Sequence, residues 1–267
     1  MENTLWQYIL RVRNNVPLVH NITNYVVMNT TANALLAVGA SPIMAHAQSE
    51  VKDMAAMADA LVINIGTVDE YWEEAMLLAA ETANGLQKPW VLDPVGAGAT
   101  PYRDQVLSRL LSLDPPVIRG NASEIIALAK ANTTVTKGAD STATSNEAVE
   151  AAQFLADRHN AVVCISGETD LIISKNRKIS LKNGHSMMAK VTGLGCTASA
   201  IIGAFLGVTE NKTEAVAAAM SLLSIAGELA AEQSNGPGSL QVNILDKLYS
   251  ITEEEFSDRL KLWRHEG

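Results

Sequence analysis

Aromatic residues make up only 4% of this 267-residue chain. Its core must therefore come from Ala, Val, Leu, Ile and Met, which suits helices packed on a buried sheet. There is no basic stripe or Lys/Arg cluster, and the formal net charge is −9. That balance argues against a nucleic-acid partner. The two cysteines, Cys164 and Cys196, are too few for a disulfide framework and lack metal-ligand spacing. Residues 1–13 lack the long apolar stretch of a signal peptide. No segment reads as an unbroken apolar run able to span a bilayer. A reducing cytoplasm with no membrane partner is the simplest expectation. Internal repeats, low-complexity tracts and linkers are also missing.

What the chain does have is rhythm. Hydrophobic residues are 48% of the total, enough for a large core. Short apolar runs bounded by Gly, Pro, Asn or Asp predict buried strands at Leu18–His20, Ala60–Asn64, Trp90–Asp93, Val117–Arg119 and Ala161–Ser166. Helical patterns fall between and after them, at Tyr25–Val38, Ser49–Met57, Glu70–Asn84, Tyr102–Leu113, Ala122–Ala129, Asn146–Arg158, Thr197–Leu206 and Lys212–Gln233, with a last one from about Leu240. Leu171–Ser174 and Lys178–Leu181 flank a turn at Lys175-Asn176 and predict an antiparallel edge hairpin. The expected fold is α/β: one three-layer domain over residues 1–267, its mostly parallel central sheet covered by helices on both faces.

Ligands of such sheets bind beyond the carboxyl ends of the strands. The segments there are all small and polar: 20–24 (HNITN), 64–67 (NIGT), 93–98 (DPVGAG), 119–124 (RGNASE) and 166–170 (SGETD). This clustering marks a site.

The segment 191–197 (VTGLGCT) places Gly193 and Gly195 before a helix of small residues. Unpaired amides and the positive end of a helix dipole suit a transferring phosphoryl group, although a tight packing turn reads equally well. The Gly-Lys-Ser/Thr ending of a phosphate loop is missing. Cys196 is either a thiol tuned by the helix N-terminus or a small packing residue. Asp93, at a strand tip before a Gly-rich loop, could hold Mg²⁺ or simply cap the turn before Pro94. Glu124 could bind metal or form a capping box with Asn121. Arg119 needs an anion, either a nucleotide phosphate or a carboxylate. Ser166 is a strand-end hydroxyl that could bond a phosphate. Asn21 and Asn24 could recognise a heteroatom ring or cap a helix. Met44 lines an apolar pocket or fills core, and His20 reads best as a satisfied buried histidine.

Five blocks, in order, resemble the hydroxyethylthiazole kinases of the ribokinase-like superfamily. They are 17–24 (PLVHNITN), 31–42 (TANALLAVGASP), 90–98 (WVLDPVGAG), 118–125 (IRGNASEI) and 191–196 (VTGLGC). The resemblance implies that ATP and Mg²⁺ are used to phosphorylate the alcohol of 4-methyl-5-(2-hydroxyethyl)thiazole for thiamine biosynthesis. By motif it assigns Arg119 and Ser166 to ATP, Met44 and Gly193 to the thiazole with Asn24 nearby, and Asp93 and Glu124 to Mg²⁺ and phosphates. It assigns Gly193, Gly195 and Cys196 to the transfer itself. It also implies a homotrimer with sites at subunit boundaries. The wider superfamily usually has a catalytic Asp where this chain has Cys196. Many relatives have Thr at the place of Ser166, and Leu194 replaces a frequent Thr.

Three alternatives are set against this reading: a nucleotide-dependent dehydratase repairing hydrated nicotinamide cofactors, a kinase for the pyrimidine half of thiamine, and a non-enzymatic binding protein. Cys196 speaks against the first. The 21–24 and 41–44 segments speak against the second. The presence of Asp93, Arg119 and the glycine turn speaks against the third.

Overall fold

The computed structural model describes residues 4–131 and 144–266. In chain order the elements are α1 (Thr4–Asn15), β1 (Leu18–Ile22), α2 (Met28–Val38), β2 (Ser41–Ile43), α3 (Val51–Met57), β3 (Ala60–Asn64), α4 (Glu70–Gly85), β4 (Trp90–Asp93), α5 (Pro101–Leu111), β5 (Val117–Asn121) and α6 (Ala122–Ala131). Then come α7 (Thr144–His159), β6 (Val162–Ser166), β7 (Asp170–Ser174), β8 (Arg177–Leu181), a 3-10 turn at Ser186–Lys190, α8 (Leu194–Leu206), α9 (Lys212–Ala231), α10 (Pro237–Ser250), α11 (Glu253–Arg259) and β9 (Leu262–Glu266). One nine-stranded sheet runs β2-β1-β3-β4-β5-β6-β7-β8-β9. Its first six strands are parallel and the rest antiparallel.

Strand pleating divides the core in two. Val19, Val62, Val91, Val117 and Cys164 face one layer, with α1, α2, α8, α9 and α10. Leu61, Ile63, Leu92, Ile118 and Val163 face the other, with α3 to α7. Burial on both faces is why these strands read as unbroken apolar runs instead of alternating ones. Each buried Leu or Ile stabilises the fold by roughly 1.5–3 kcal/mol, and the two layers hold the strand tips at a common height.

Three expectations need correction, and the edge strand β2 carried none. The hairpin β7–β8 is not at the edge, because β9 pairs with β8; the sequence 262–266 (LWRHE) is too polar to show as a strand. Three-residue β2 forms the opposite edge, where Pro42 is tolerated. Helix α8 starts at Leu194 and not at Thr197, so Gly195 and Cys196 lie inside its first turn. Finally, α9 is long and apolar enough to cross a bilayer by length and composition, but it is almost wholly buried in the protein. A helix hydrophobic all round is what a core position demands. Helices α1 and α11 also carried no sequence expectation.

Candidate functional site

The carboxyl ends of β1, β3, β4, β5 and β6 converge on the N-terminus of α8. Gly193 precedes that helix at φ +77°, a left-handed conformation that glycine adopts without strain. A Cβ there would also sit 2.2 Å from Val27 Cγ1. Thr197 N donates to Gly193 O at 2.9 Å and closes the first turn. The amides of Leu194, Gly195 and Cys196 therefore open outward from the first turn.

Arg119 leans over this turn. A Cβ on Gly195 would lie 2.5 Å from its Nη1. The guanidinium is buried, and Nη2 donates to Ser166 Oγ at 2.5 Å. Its buried Nε has no partner among the described residues, so donors remain for an anion. Arg119, Ser166, Gly193 and Gly195 line one cavity of about 840 Å³, together with Met188 and Leu223. Asp170 lies in the same cavity wall and accepts from Gly167 N at 3.0 Å. Burial pushes its carboxyl up to about 6, against the pull of Gly167 N and the nearby Arg119.

Beside this cavity the polar groups are locked together. Asp93 is fully buried. Its Oδ2 accepts from Asn64 Nδ2 at 2.6 Å and from Ser199 Oγ at 2.8 Å, while Oδ1 has no partner among the described residues. Burial, with Glu124 nearby, raises its pKa above the usual carboxylate range, opposed by Arg119, Ser199 and Asn64. Asn24 Nδ2 donates to Asn64 Oδ1 at 2.9 Å and to Cys196 Sγ at 3.4 Å. Burial and then Asp93 raise the Cys196 thiol, against support from Asn64, Asn24 and Arg119. The thiol is therefore protonated at neutral pH.

Glu124 serves local structure as well as facing the site. Its Oε2 accepts from Asn121 N at 2.8 Å while Asn121 Oδ1 accepts from Glu124 N at 2.9 Å, a reciprocal cap of α6. Its Oε1 accepts from Gly96 N at 3.0 Å and pins the 93–98 loop. Met44 stands further out, near Asn21 Nδ2 (3.9 Å). His20 is a core histidine bonded through Nε2 to Ala45 O at 2.8 Å; burial lowers its pKa.

The structure thus brings Arg119, Ser166, Gly193 and Gly195 into one cavity. It ties Asn24, Cys196 and Asp93 into one network and leaves Met44 beyond both. Asn64, Ser199, Asp170 and Arg103 escaped sequence reasoning as individual site residues. Arg103 clamps two loops, donating to Ile65 O, Val95 O and Gly66 O at 2.8, 2.9 and 2.8 Å. Asn64 sat in a flagged segment but gave no signal of its own. Arg103 and Ser199 lie on helices whose patterns read as ordinary.

Residues 9–254 match the model of the "Hydroxyethylthiazole kinase family". A hydroxyethylthiazole kinase of Syntrophus aciditrophicus is 54% identical over 262 residues, covering 98% of this chain and 97% of that protein. One from Vibrio campbellii is 52% identical, with 96% of each covered. The solved hydroxyethylthiazole kinase of Pyrococcus horikoshii superposes with a TM-score of 0.90 at 44% identity, covering 98% of this chain and 99% of that one. A pyridoxal kinase from Staphylococcus aureus, solved with AMP-PCP and pyridoxal, aligns at a TM-score of 0.68 over 94% of this chain and 100% of its own. At 16% identity it shares the fold.

Proposed function

This chain belongs to the hydroxyethylthiazole kinase family, and we propose that its site moves the γ-phosphate of ATP onto the alcohol of 4-methyl-5-(2-hydroxyethyl)thiazole. The observation that carries the reading is the first turn of α8. Its outward amides and the Arg119 guanidinium face one cavity, while Cys196 in the same turn reaches Asn24. Phosphoryl transfer requires positioning and charge neutralisation more than covalent chemistry, and amides fixed at a helix N-terminus supply both without reorganisation.

Arg119 and Ser166 are assigned to the ATP phosphates. Gly193 and Gly195 let the backbone approach the transferring group. Asn24, Gly193 and Met44 are assigned to the thiazole. Cys196 stands where the alcohol proton must leave; as a neutral thiol it is a poor acceptor, so most of the rate is assigned to the amides and Arg119. Among the described residues no three His, Cys, Asp or Glu side chains form a metal cluster. Mg²⁺ keeps waters and phosphate ligands and needs only one or two carboxylates. Asp93, with an unpartnered Oδ1, fits that need, with Glu124 beside it. The ion would neutralise phosphate charge when bound.

The proposal extends to a cytoplasmic enzyme of one domain over residues 1–267, assembled as a homotrimer with sites at subunit boundaries. Support for assembly comes from Tyr25, Val26 and Tyr71, each at least half exposed beside the acceptor end. Tyr25 lies against Trp72 at 4.9 Å between ring centroids, and Tyr71 Oη accepts from Gln48 N at 3.3 Å. Apolar surface of this kind marks an interface.

The test is direct. Purified protein is incubated with ATP, Mg²⁺ and a panel of thiazole and pyrimidine alcohols, and products are identified by mass. A phosphorylated thiazole is expected. ATP turnover without it, or a phosphorylated pyrimidine in its place, overturns the reading.

A further inference from the structure

Asn64 is almost completely buried at the tip of β3, and its amide can face only one way. Oδ1 accepts from Asn24 Nδ2 and from Gly66 N, both at 2.9 Å, while Nδ2 donates to the Asp93 carboxylate at 2.6 Å. A flipped amide would set its NH₂ against two N–H donors and its oxygen against a carboxylate. Asn24 is fixed in turn. Its Oδ1 accepts from Val26 N at 3.1 Å, so its NH₂ is left to reach Asn64 Oδ1 and Cys196 Sγ. Gly66 makes room for this, because a Cβ there would lie 2.7 Å from Asn24 Nδ2. The chain of bonds runs Ser199 to Asp93, Asn64 to Asp93, Asn24 to Asn64 and Asn24 to Cys196, and it joins the segment after β1 to β3, β4 and α8.

One consequence concerns the sulfur. With an N–H held against it, the thiol is an acceptor within the network, and its own hydrogen is free to turn toward the site. We propose that Asn64 is a positioning residue for phosphoryl transfer: it orients Asn24 and thereby the Cys196 thiol, and it links that thiol to Asp93, so that the reacting alcohol meets a fixed sulfur. This rests on the kinase reading above. Its specific content is that Asn64 acts through Cys196 and not through ATP binding.

The test uses two variants, Asn64→Ala and Gly66→Ala. The second leaves Asn64 in place but presses on Asn24. Each is assayed for thiazole phosphorylation and, without substrates, for the rate of Cys196 alkylation by iodoacetamide. The only other cysteine, Cys164, is fully buried. Thermal unfolding checks that each protein is folded. Misplacing a reacting group by about 1 Å costs about 100-fold in rate. We expect kcat to fall by about that factor with KM for ATP changed less than twofold, and the alkylation rate to change at least threefold. A folded variant with wild-type kcat and alkylation, or an equal change in KM for ATP, overturns the proposal. If neither variant folds, the network serves folding and the proposal also falls. Failure of the kinase reading would show separately, as absent thiazole phosphorylation in the wild type, while the alkylation comparison stands without any substrate.

Discussion

At the end proposed for the nucleotide the site is a cavity of about 840 Å³ in which buried Arg119 holds Ser166 while its Nε has no partner among the described residues. At the end proposed for the acceptor Asn24, Asn64 and Ser199 are fastened to one another or to Asp93 at 2.6–2.9 Å, with Cys196 at the margin. The first arrangement waits for a charged guest, since a buried guanidinium with spare donors is satisfied only by an anion. The second is tied together by its own bonds, with only Asp93 Oδ1 left open among these atoms, and is therefore the stiffer of the two. The start of α8 serves both, with Gly193 and Gly195 lining the cavity and the Cys196 thiol held by Asn24. Affinity for ATP should accordingly reside in a few separable groups. Rate should depend on a network that fails as a unit.

The largest expected effect lies at the open end. Arg119→Ala should lower kcat/KM for ATP by roughly 100- to 1,000-fold, the range for removing one preorganised charge-stabilising donor, and leave KM for the thiazole nearly unchanged. Steady-state kinetics with each substrate varied in turn decide this. An equal rise in both KM values would break the division between the two ends.

Next is Gly195→Val. A Cβ at 195 would lie 2.5 Å from Arg119 Nη1, so the side chain must displace the guanidinium from the turn. Gly195 has no positive φ to lose. The expected outcome is therefore a fall in kcat of about 100-fold, with a smaller loss of stability in urea titration. Full activity would remove α8 from the anion-binding role.

A sharper probe of the closed end is Cys196→Asp. The carboxylate would accept from Asn24 and is the better proton acceptor at pH 7. It would also face the nearby Asp93 charge, which already raises the thiol. Activity should be retained or raised, by up to about tenfold on general-base grounds, as measured by kcat at saturating substrates. A folded but inactive Asp variant would show that the residue at 196 takes no proton.

The same contrast explains what could be read from sequence. The parallel strands were legible because burial on both faces leaves continuous apolar runs, as in residues 60–64 (ALVIN) and 90–93 (WVLD). The residues that gather in the cavity were legible because they sit in short motifs: Arg119 with the Asn121–Glu124 cap, Ser166 at a strand end, and the glycines before α8. The acceptor network was only half visible. It gathers Asn24, Asn64, Asp93, Cys196 and Ser199 from separate elements, and no spacing connects residue 64 with residue 199. Strand β9 escaped because its partner β8 lies some eighty residues earlier, and mixed polarity hides a strand that needs only backbone pairing. The start of α8 was misplaced because glycines at 193 and 195 argue against a helix locally, while packing of its small residues against β1, β3 and β4 holds it.

The smallest effect concerns Asp170, at the wall of the open end. Its carboxyl is raised from an ordinary 3.8 to about 6, chiefly by burial. Between those values the folded protein keeps a proton that the unfolded chain has released, so unfolding releases a proton and stability falls as pH rises through this window. Below pH 3.8 both states are protonated and the cost is absent; above about 6 it is fully present. Asp170→Asn cannot titrate, and its oxygen can still accept from Gly167 N. The variant's stability relative to wild type should therefore increase from pH 4 to pH 6 and level off above, by on the order of 2 kcal/mol at about 1.4 kcal/mol per pK unit. Urea denaturation of both proteins at pH 4, 5, 6 and 7 measures the difference. Other raised carboxyls such as Asp93 cancel, because both proteins contain them. A difference that stays flat or shrinks across the window would mean that Arg119 holds Asp170 ionised, and the open end would then be a preformed ion pair instead of a cavity awaiting an anion.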